Sequence, residues 1–428
     1  MRVFHSFPVE DIADFKNQLF LMAAESHYYC CLDGNNYPDY PYSTFESFFA
    51  IEALDVCSVS ENCLEAMTNF MSLHQDWMFG FISYDLKNEI EPRLQSANLD
   101  GIINPMLHFF VPKYLIKIEQ NEVQIGITED KHLNEFRKKV EKKYLTINTL
   151  HTAQVDIKNR ISKEQYKRTV DELKAHIQRG DIYEINFCQE FYSRPASIDP
   201  VTAFHKLNQN SKAPFTSFFK NDDNFLLCAS PERFLKRINN KLISQPIKGT
   251  RKRSAIEEED KYIREELYKD EKERSENVMI VDLVRNDLSK IAKKNSVEVE
   301  ELFGIYSFQQ VHQMISTITC SIDDEISFAT IIKALFPMGS MTGAPKLSAM
   351  QLIEQYEQTQ RGLFSGALGY ITPQGNFDFN VVIRSILYNQ KQHYLSIQTG
   401  SAITIECDPE KEYEECLLKA KAMLSALE

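Results

Sequence analysis

Strand-like and helix-like segments follow one another along this chain without regular alternation, and that order limits its fold more than any other feature. Three short apolar runs, Leu107 to Val111, Tyr114 to Ile118 and Val123 to Ile127, read as strands, with Pro112 separating the first two. Ser162 to Gln165 forms a capping box, and an amphipathic helix is expected from there to Gly180. The extended run from Ile182 to Tyr192 follows, then a strand from Phe225 to Ala229. Phe234 to Ile238 and Lys241 to Ile247 make a hairpin across Asn239 and Asn240, residue types that tolerate positive φ. Residues 256–290 favour helix, as does Pro409 to Leu427, with Asp408 as N-cap. Between these helices the runs Ser316 to Cys320, Ala367 to Ile371, Asn380 to Leu387 and His393 to Gln398 read as strands. The result is a mixed α+β chain, too irregular for a doubly wound sheet.

The 428 residues allow two or three domains or one large one. The best boundary is the polar, basic stretch from Phe136 through Arg160, which divides residues 1–150 from residues 155–428. A formal charge of −13 argues against a nucleic-acid partner, because phosphate backbones select basic surfaces. No run of about 18 apolar residues occurs, so no membrane span is expected. Acids near the N-terminus, Glu10 and Asp11, stand where a signal peptide would be apolar. Nine scattered cysteines with no Cys-x-x-Cys read as reduced core thiols of a cytoplasmic protein and give structural zinc no support. Glycine is scarce at 14, yet seven fall between Gly339 and Gly400, which suggests tight turns or backbone close to a ligand.

Several residues carry chemistry. Glu273 and Glu276 share a helix face, and Glu412 and Glu415 repeat the spacing in the last helix. Four carboxylates from two helices suit a hard divalent cation, although either pair alone reads far more readily as a solvated helix face. Lys248 precedes Gly249 at a strand end, where a desolvated lysine with a lowered pKa could act as a nucleophile. Glu232, also at a strand end, would serve as a general acid if burial raised its pKa. Arg384 lies in an apolar run and needs an anion if that strand is buried. Lys419 stands one turn after Glu415 and could be only its ion-pair partner, and His312 could be a structural histidine. The loop Gly339 to Lys346 is not a phosphate loop, since Pro345 removes a backbone donor and no Gly-Lys-Ser/Thr follows.

Taken in order, the stretches Ser230–Arg233, Pro246–Arg251, Asp270–Asn277, Asp282–Leu288, Phe336–Lys346, Arg361–Gly362, Gly366–Tyr370, Ile383–Ser385 and Asp408–Glu415 resemble the chorismate-utilising enzymes. That family includes anthranilate, aminodeoxychorismate, isochorismate and salicylate synthases. The resemblance covers roughly residues 160–425, and Gly80 to Leu86 resembles the family's N-terminal part. It implies two packed antiparallel β-sheets flanked by helices, one large unit like anthranilate synthase component I. Residues 1–150 would be the N-terminal region of that fold, and residues 155–428 the chorismate-binding catalytic region. It also implies Mg²⁺ bound directly by Glu276 and Glu415 and through water by Glu273 and Glu412. Arg384 and Tyr370, helped by backbone near Gly400, would bind the enolpyruvyl carboxylate of chorismate. Glu232 would protonate the departing 4-hydroxyl, with His312, Thr250 and Lys419 as supporting site residues.

Lys248 separates the branches of the family. Members that place nitrogen at C4 have lysine there, whereas anthranilate synthases have alanine. The resemblance is therefore nearest to aminodeoxychorismate synthase component I, with anthranilate synthase component I or a non-catalytic chorismate-binding subunit as alternatives. A lysine that activates water in the isochorismate and salicylate synthases has its counterpart at Glu184, where amine-forming members usually carry glutamine. Ala402 stands where a second glycine is expected. No Gly-x-Cys-x-Gly nucleophile loop occurs, so a separate glutaminase subunit is expected to deliver ammonia.

Overall fold

A computed structural model describes residues 1–37, 40–43, 46–141 and 154–428. All strand-to-strand ladders among them are antiparallel, and they form two branches. One branch runs from Leu107–Glu119 through Ser47–Val59, Tyr28–Asp33, Phe215–Asn221, Asn224–Ser230, Ser385–Asn389 and Tyr394–Ile403 to Glu184–Ser193. The other leaves the same Leu107–Glu119 strand through Met78–Ile82, Ala367–Ile371, Phe377–Val381, Arg233–Ile238 and Lys241–Gln245 to Val311–Ser321.

Side-chain alternation explains why the branches pack as layers. Successive strand residues point to opposite faces. In Tyr28–Asp33, Cys30 and Leu32 join a core shared with Phe79, Phe81, Leu368 and Phe379 of the second branch. Tyr29 and Cys31 join a second core, on the outer face, with Leu19, Phe204 and Met423. The helices Ile12–Glu25, Pro200–Ser211 and Pro409–Ser425 contribute those last three residues and cover that face. The two-sheet α+β architecture expected from the sequence is therefore present. All nine cysteines are buried and unpaired. No helix among the described residues is long and apolar enough to cross a membrane.

Several local expectations meet their structure directly. The helix Lys163–Arg179 starts at Ser162, whose side chain accepts from the Gln165 N–H, and stops at Gly180 with φ of +83°. Asp408 caps Pro409–Ser425 by accepting from the N–H groups of Glu410 and Lys411. Asn239 takes φ of +55° in its hairpin. Three expectations change. Pro112 does not divide two strands: Leu107–Glu119 runs through it, and the partner strand absorbs the irregularity in a bulge between Ala53 and Asp55. Residues 256–290 form two helices, Glu257–Lys269 and Glu271–Ser289, because Asp270 leaves the helical conformation to cap the second. Asn380 to Leu387 is two strands, Phe377–Val381 and Ser385–Asn389. As for the expected boundary stretch, its first residues end the helix Asp130–Glu141, and its middle, residues 142–153, lies outside the described residues. Strands from residues 1–150 pair with later ones, as Met78–Ile82 does with Ala367–Ile371.

Candidate active site

Lys248 owes its position to a break in the ladder. Ile247–Lys252 pairs with Val311–Ser321, but the register shifts between Ile247 and Thr250. Gly249 makes the shift with φ of +94°, a conformation that side chains with a Cβ rarely adopt. The Lys248 Nζ donates to Glu184 Oε1 at 2.7 Å. Its side chain is only 13% exposed and that of Glu184 only 3%. Burial works against the lysine's charge, but Glu184 and then Glu276 and Glu415 outweigh it and raise the pKa. This corrects the expectation of a lowered lysine pKa: the pocket is desolvated, yet it is lined by carboxylates, and they hold the proton on.

Glu232 closes the same electrostatic neighbourhood. It follows Asn224–Ser230, is buried, and accepts a 2.6 Å hydrogen bond from Ser340 Oγ. Burial pushes its carboxyl up to about 7, against the Ser340 hydrogen bond and the pull of Lys248 and Lys419. A carboxyl that titrates near neutrality is suited to giving up a proton.

The four glutamates lie on two helices, Glu271–Ser289 and Pro409–Ser425, and all four act electrostatically on Lys272. Glu276 is held above the usual carboxylate range by burial, although Lys248 and Lys272 draw it down. Glu412 is raised by burial and then by Glu415. Glu415 is lowered because Lys419, Lys248 and Lys272 together outweigh burial. Cations partly neutralise the set: Lys419 Nζ lies 2.6 Å from Glu415, Arg251 is 3.0 Å from Glu273, and Lys272 is 3.7 Å from Glu276. Among the described residues no three His, Cys, Asp or Glu side chains converge as a ready ligand set. Mg²⁺ does not require one, since it keeps several waters and takes one or two carboxylates plus substrate oxygens. Carboxylate oxygens are the donor type such an ion takes, and the pair left with raised pKa values is Glu276 with Glu412, while Glu415 is already met by cations.

The remaining expected residues are placed as follows. Lys419 Nζ also donates to Gly400 O at 2.8 Å, which ties the last helix to the strand Tyr394–Ile403. A Cβ on Gly400 would meet Cys188 Sγ at 2.4 Å. Arg384 is not within a strand. It sits between two strands with φ of +53°, and its Nη1 donates to Lys419 O at 3.2 Å. Burial lowers its pKa against the pull of Glu415, so it belongs to the carboxylate neighbourhood. Tyr370 lies in the aromatic core, with ring centroids 5.1 Å from Phe48 and 5.6 Å from Trp77. Thr250 is exposed in register with Gln313. His312 turns the other way: its Nε2 meets Asp260 at 3.0 Å and its Nδ1 meets Ser307 at 2.8 Å. That dyad ties a strand to the helix Glu257–Lys269 and gives His312 a structural contact.

Two residues of this neighbourhood, Glu184 and Ser340, were not expected in these roles. Glu184 figured in the sequence only as a departure from a family pattern, and nothing there pairs it with Lys248, 64 residues away. Ser340, which holds Glu232, is hidden in a glycine-rich loop. Apart from these, Gln313 follows His312 on the opposite face of the strand, and its Oε1 is buried with no hydrogen-bond partner. Strand alternation around His312 is the signal that could have drawn notice to Gln313.

Comparison with known proteins identifies the family. A model of the chorismate binding enzyme family matches residues 43–425. The chain belongs to that family. It is 32% identical over 354 residues to aminodeoxychorismate synthase component 1 of Escherichia coli, covering 83% of this chain and 77% of that protein. It is 31% identical over 389 residues to anthranilate synthase component 1 of Aquifex aeolicus, covering 85% and 78%. The structure of anthranilate synthase component I from Streptococcus pneumoniae superimposes with a TM-score of 0.79 over 90% of this chain and 95% of that one, at 23% identity. The fold is thus the anthranilate synthase component I fold.

Proposed function

We propose that this family member is an aminodeoxychorismate synthase component I, which converts chorismate and ammonia to 4-amino-4-deoxychorismate for p-aminobenzoate and folate synthesis. The observation that carries the reading is Lys248: a mostly buried lysine presented by a glycine bulge, paired with Glu184, drawn by Glu276 and Glu415, and itself drawing on the protonatable Glu232. Nitrogen can be placed at C4 with retention if a nucleophile first adds at C2 while the hydroxyl leaves C4. A lysine amine does this covalently. Glu232 is the acid that protonates the departing hydroxyl. Arg384 meets a carboxylate of the substrate, and Lys419 holds Gly400 and Glu415 in place beside it.

Glu276 and Glu415 would hold Mg²⁺ directly, and Glu273 and Glu412 through water. The ion would supply positive charge for the ring carboxylate of chorismate. Ammonia comes from a separate glutaminase subunit, a reading supported by the name component 1 among the relatives. The buried, unpaired cysteines suit a reducing compartment such as the cytoplasm.

The deciding test is product identity. The purified chain is incubated with chorismate, Mg²⁺ and ammonium salt, and the products are resolved by liquid chromatography with mass detection. Aminodeoxychorismate supports the reading. Anthranilate refutes it in favour of the tryptophan-pathway branch. Bound but unchanged chorismate, even with a glutaminase subunit added, points to a non-catalytic subunit.

A further inference from the structure

We infer that Glu184 is the base that takes the ammonium proton of Lys248 and so releases the nucleophilic amine. The inference rests on the covalent reading above and adds a residue to it. An ammonium has no lone pair, so Lys248 cannot attack carbon until an acceptor in contact with it takes a proton. Three carboxylates attract Lys248, namely Glu184, Glu276 and Glu415, and Lys248 in turn draws on Glu232. Only Glu184 is hydrogen-bonded to it among the described residues, at 2.7 Å. The others are engaged elsewhere, Glu276 with Lys272, Glu415 with Lys419 and Glu232 with Ser340. Glu184 is 2% exposed, and its second oxygen, Oε2, has no hydrogen-bond partner. It stands at the start of the strand Glu184–Ser193, paired with Ala344, and the backbone of that strand fixes its position.

The step balances. A proton passes from Lys248 Nζ to Glu184 Oε1. The freed lone pair bonds to C2 of chorismate, the two ring double bonds each shift one place, and the C4–O bond breaks. The hydroxyl takes the Glu232 proton and leaves as water, with Lys248 now a secondary ammonium. Ammonia then bonds to C4, the double bonds shift back, and the N–C2 bond breaks with its electron pair on Lys248. The new C4 ammonium returns a proton to Glu232, and Glu184 returns the other to Lys248.

The test follows the lysine adduct, not only turnover. The full chain is mixed with chorismate and Mg²⁺ without ammonia, and the adduct on Lys248 is timed by intact mass in wild type and Glu184→Gln from pH 7 to 10. The variant is expected to form adduct at least about 100-fold more slowly at pH 7. Its rate relative to wild type should climb about tenfold per pH unit, because bulk hydroxide then removes the proton and the ratio cancels the titration of Glu232. In Glu184→Ala, acetate but not chloride should restore the rate in proportion to its concentration. A relative rate that is constant with pH, together with no acetate rescue, overturns the role of Glu184 and leaves it a packing residue. If wild type forms aminodeoxychorismate without any adduct, the covalent reading fails and this inference fails with it. Adduct in wild type with an unimpaired Glu184→Gln variant overturns the inference alone.

Discussion

Replacing Glu232 by glutamine is expected to stabilise the free protein at alkaline pH while removing its proton donor. Burial pushes this carboxyl from 4.5 up to about 7, against Ser340 and the attraction of Lys248 and Lys419. A folded-state pKa above the unfolded value means that the folded chain binds the extra proton. Stability is then full below the unfolded pKa and is lost as pH rises through the folded one. For these two values the ionisable group costs about 1 kcal/mol at pH 5 and about 3 kcal/mol at pH 8. Glutamine does not titrate, so the variant should gain about 2 kcal/mol on wild type between those pH values. The single tryptophan, Trp77, packs 5.6 Å from Tyr370 between the sheets and can report urea unfolding at both pH values. The same variant should lose activity by about 100-fold or more, and wild-type kcat/KM should fall above pH of about 7. A stability difference that does not change with pH would refute the argument, because it would mean that Glu232 is not held protonated by burial.

Two further outcomes test the framework around Lys248. Gly249→Ala should cost about 1–2 kcal/mol for the left-handed conformation alone. Its new Cβ would also meet Leu267 Cδ1 at 3.1 Å and Glu273 Oε2 at 3.2 Å, so kcat should fall more than thermal stability accounts for, and wild-type kcat would refute the bulge as the device that presents the lysine. Glu276→Gln and Glu415→Gln should each abolish Mg²⁺-dependent turnover, as measured by Mg²⁺ titration at fixed chorismate. An unchanged Mg²⁺ response in either would demote that glutamate to a solvated helix face.

What could be read in advance, and what could not, follows from how far each interaction reaches along the chain. Helix ends such as Ser162 to Gln165 and Asp408 to Lys411 are local, with partners three residues apart or fewer, and they were legible. The glutamate pairs were legible because helical periodicity alone puts Glu273 with Glu276 and Glu412 with Glu415. Arg384 was misplaced because its apolar neighbours hide a backbone break that only φ of +53° shows. His312 was read by residue type alone, and strand pairing sends it to Asp260 and Ser307. The sign of the lysine pKa was out of reach altogether. Desolvation and a carboxylate partner push an ammonium in opposite directions, and which one wins depends on Glu184, brought to Lys248 from another strand by pairing that no local pattern encodes. Under the covalent proposal, that contact would make the lysine a nucleophile that waits for a proton to be taken, not one poised by burial. On that proposal the chemistry at C2 would depend on a tertiary contact between two strands, and a chain with the same Pro246–Thr250 motif but glutamine at position 184 would have to free its lysine by another route.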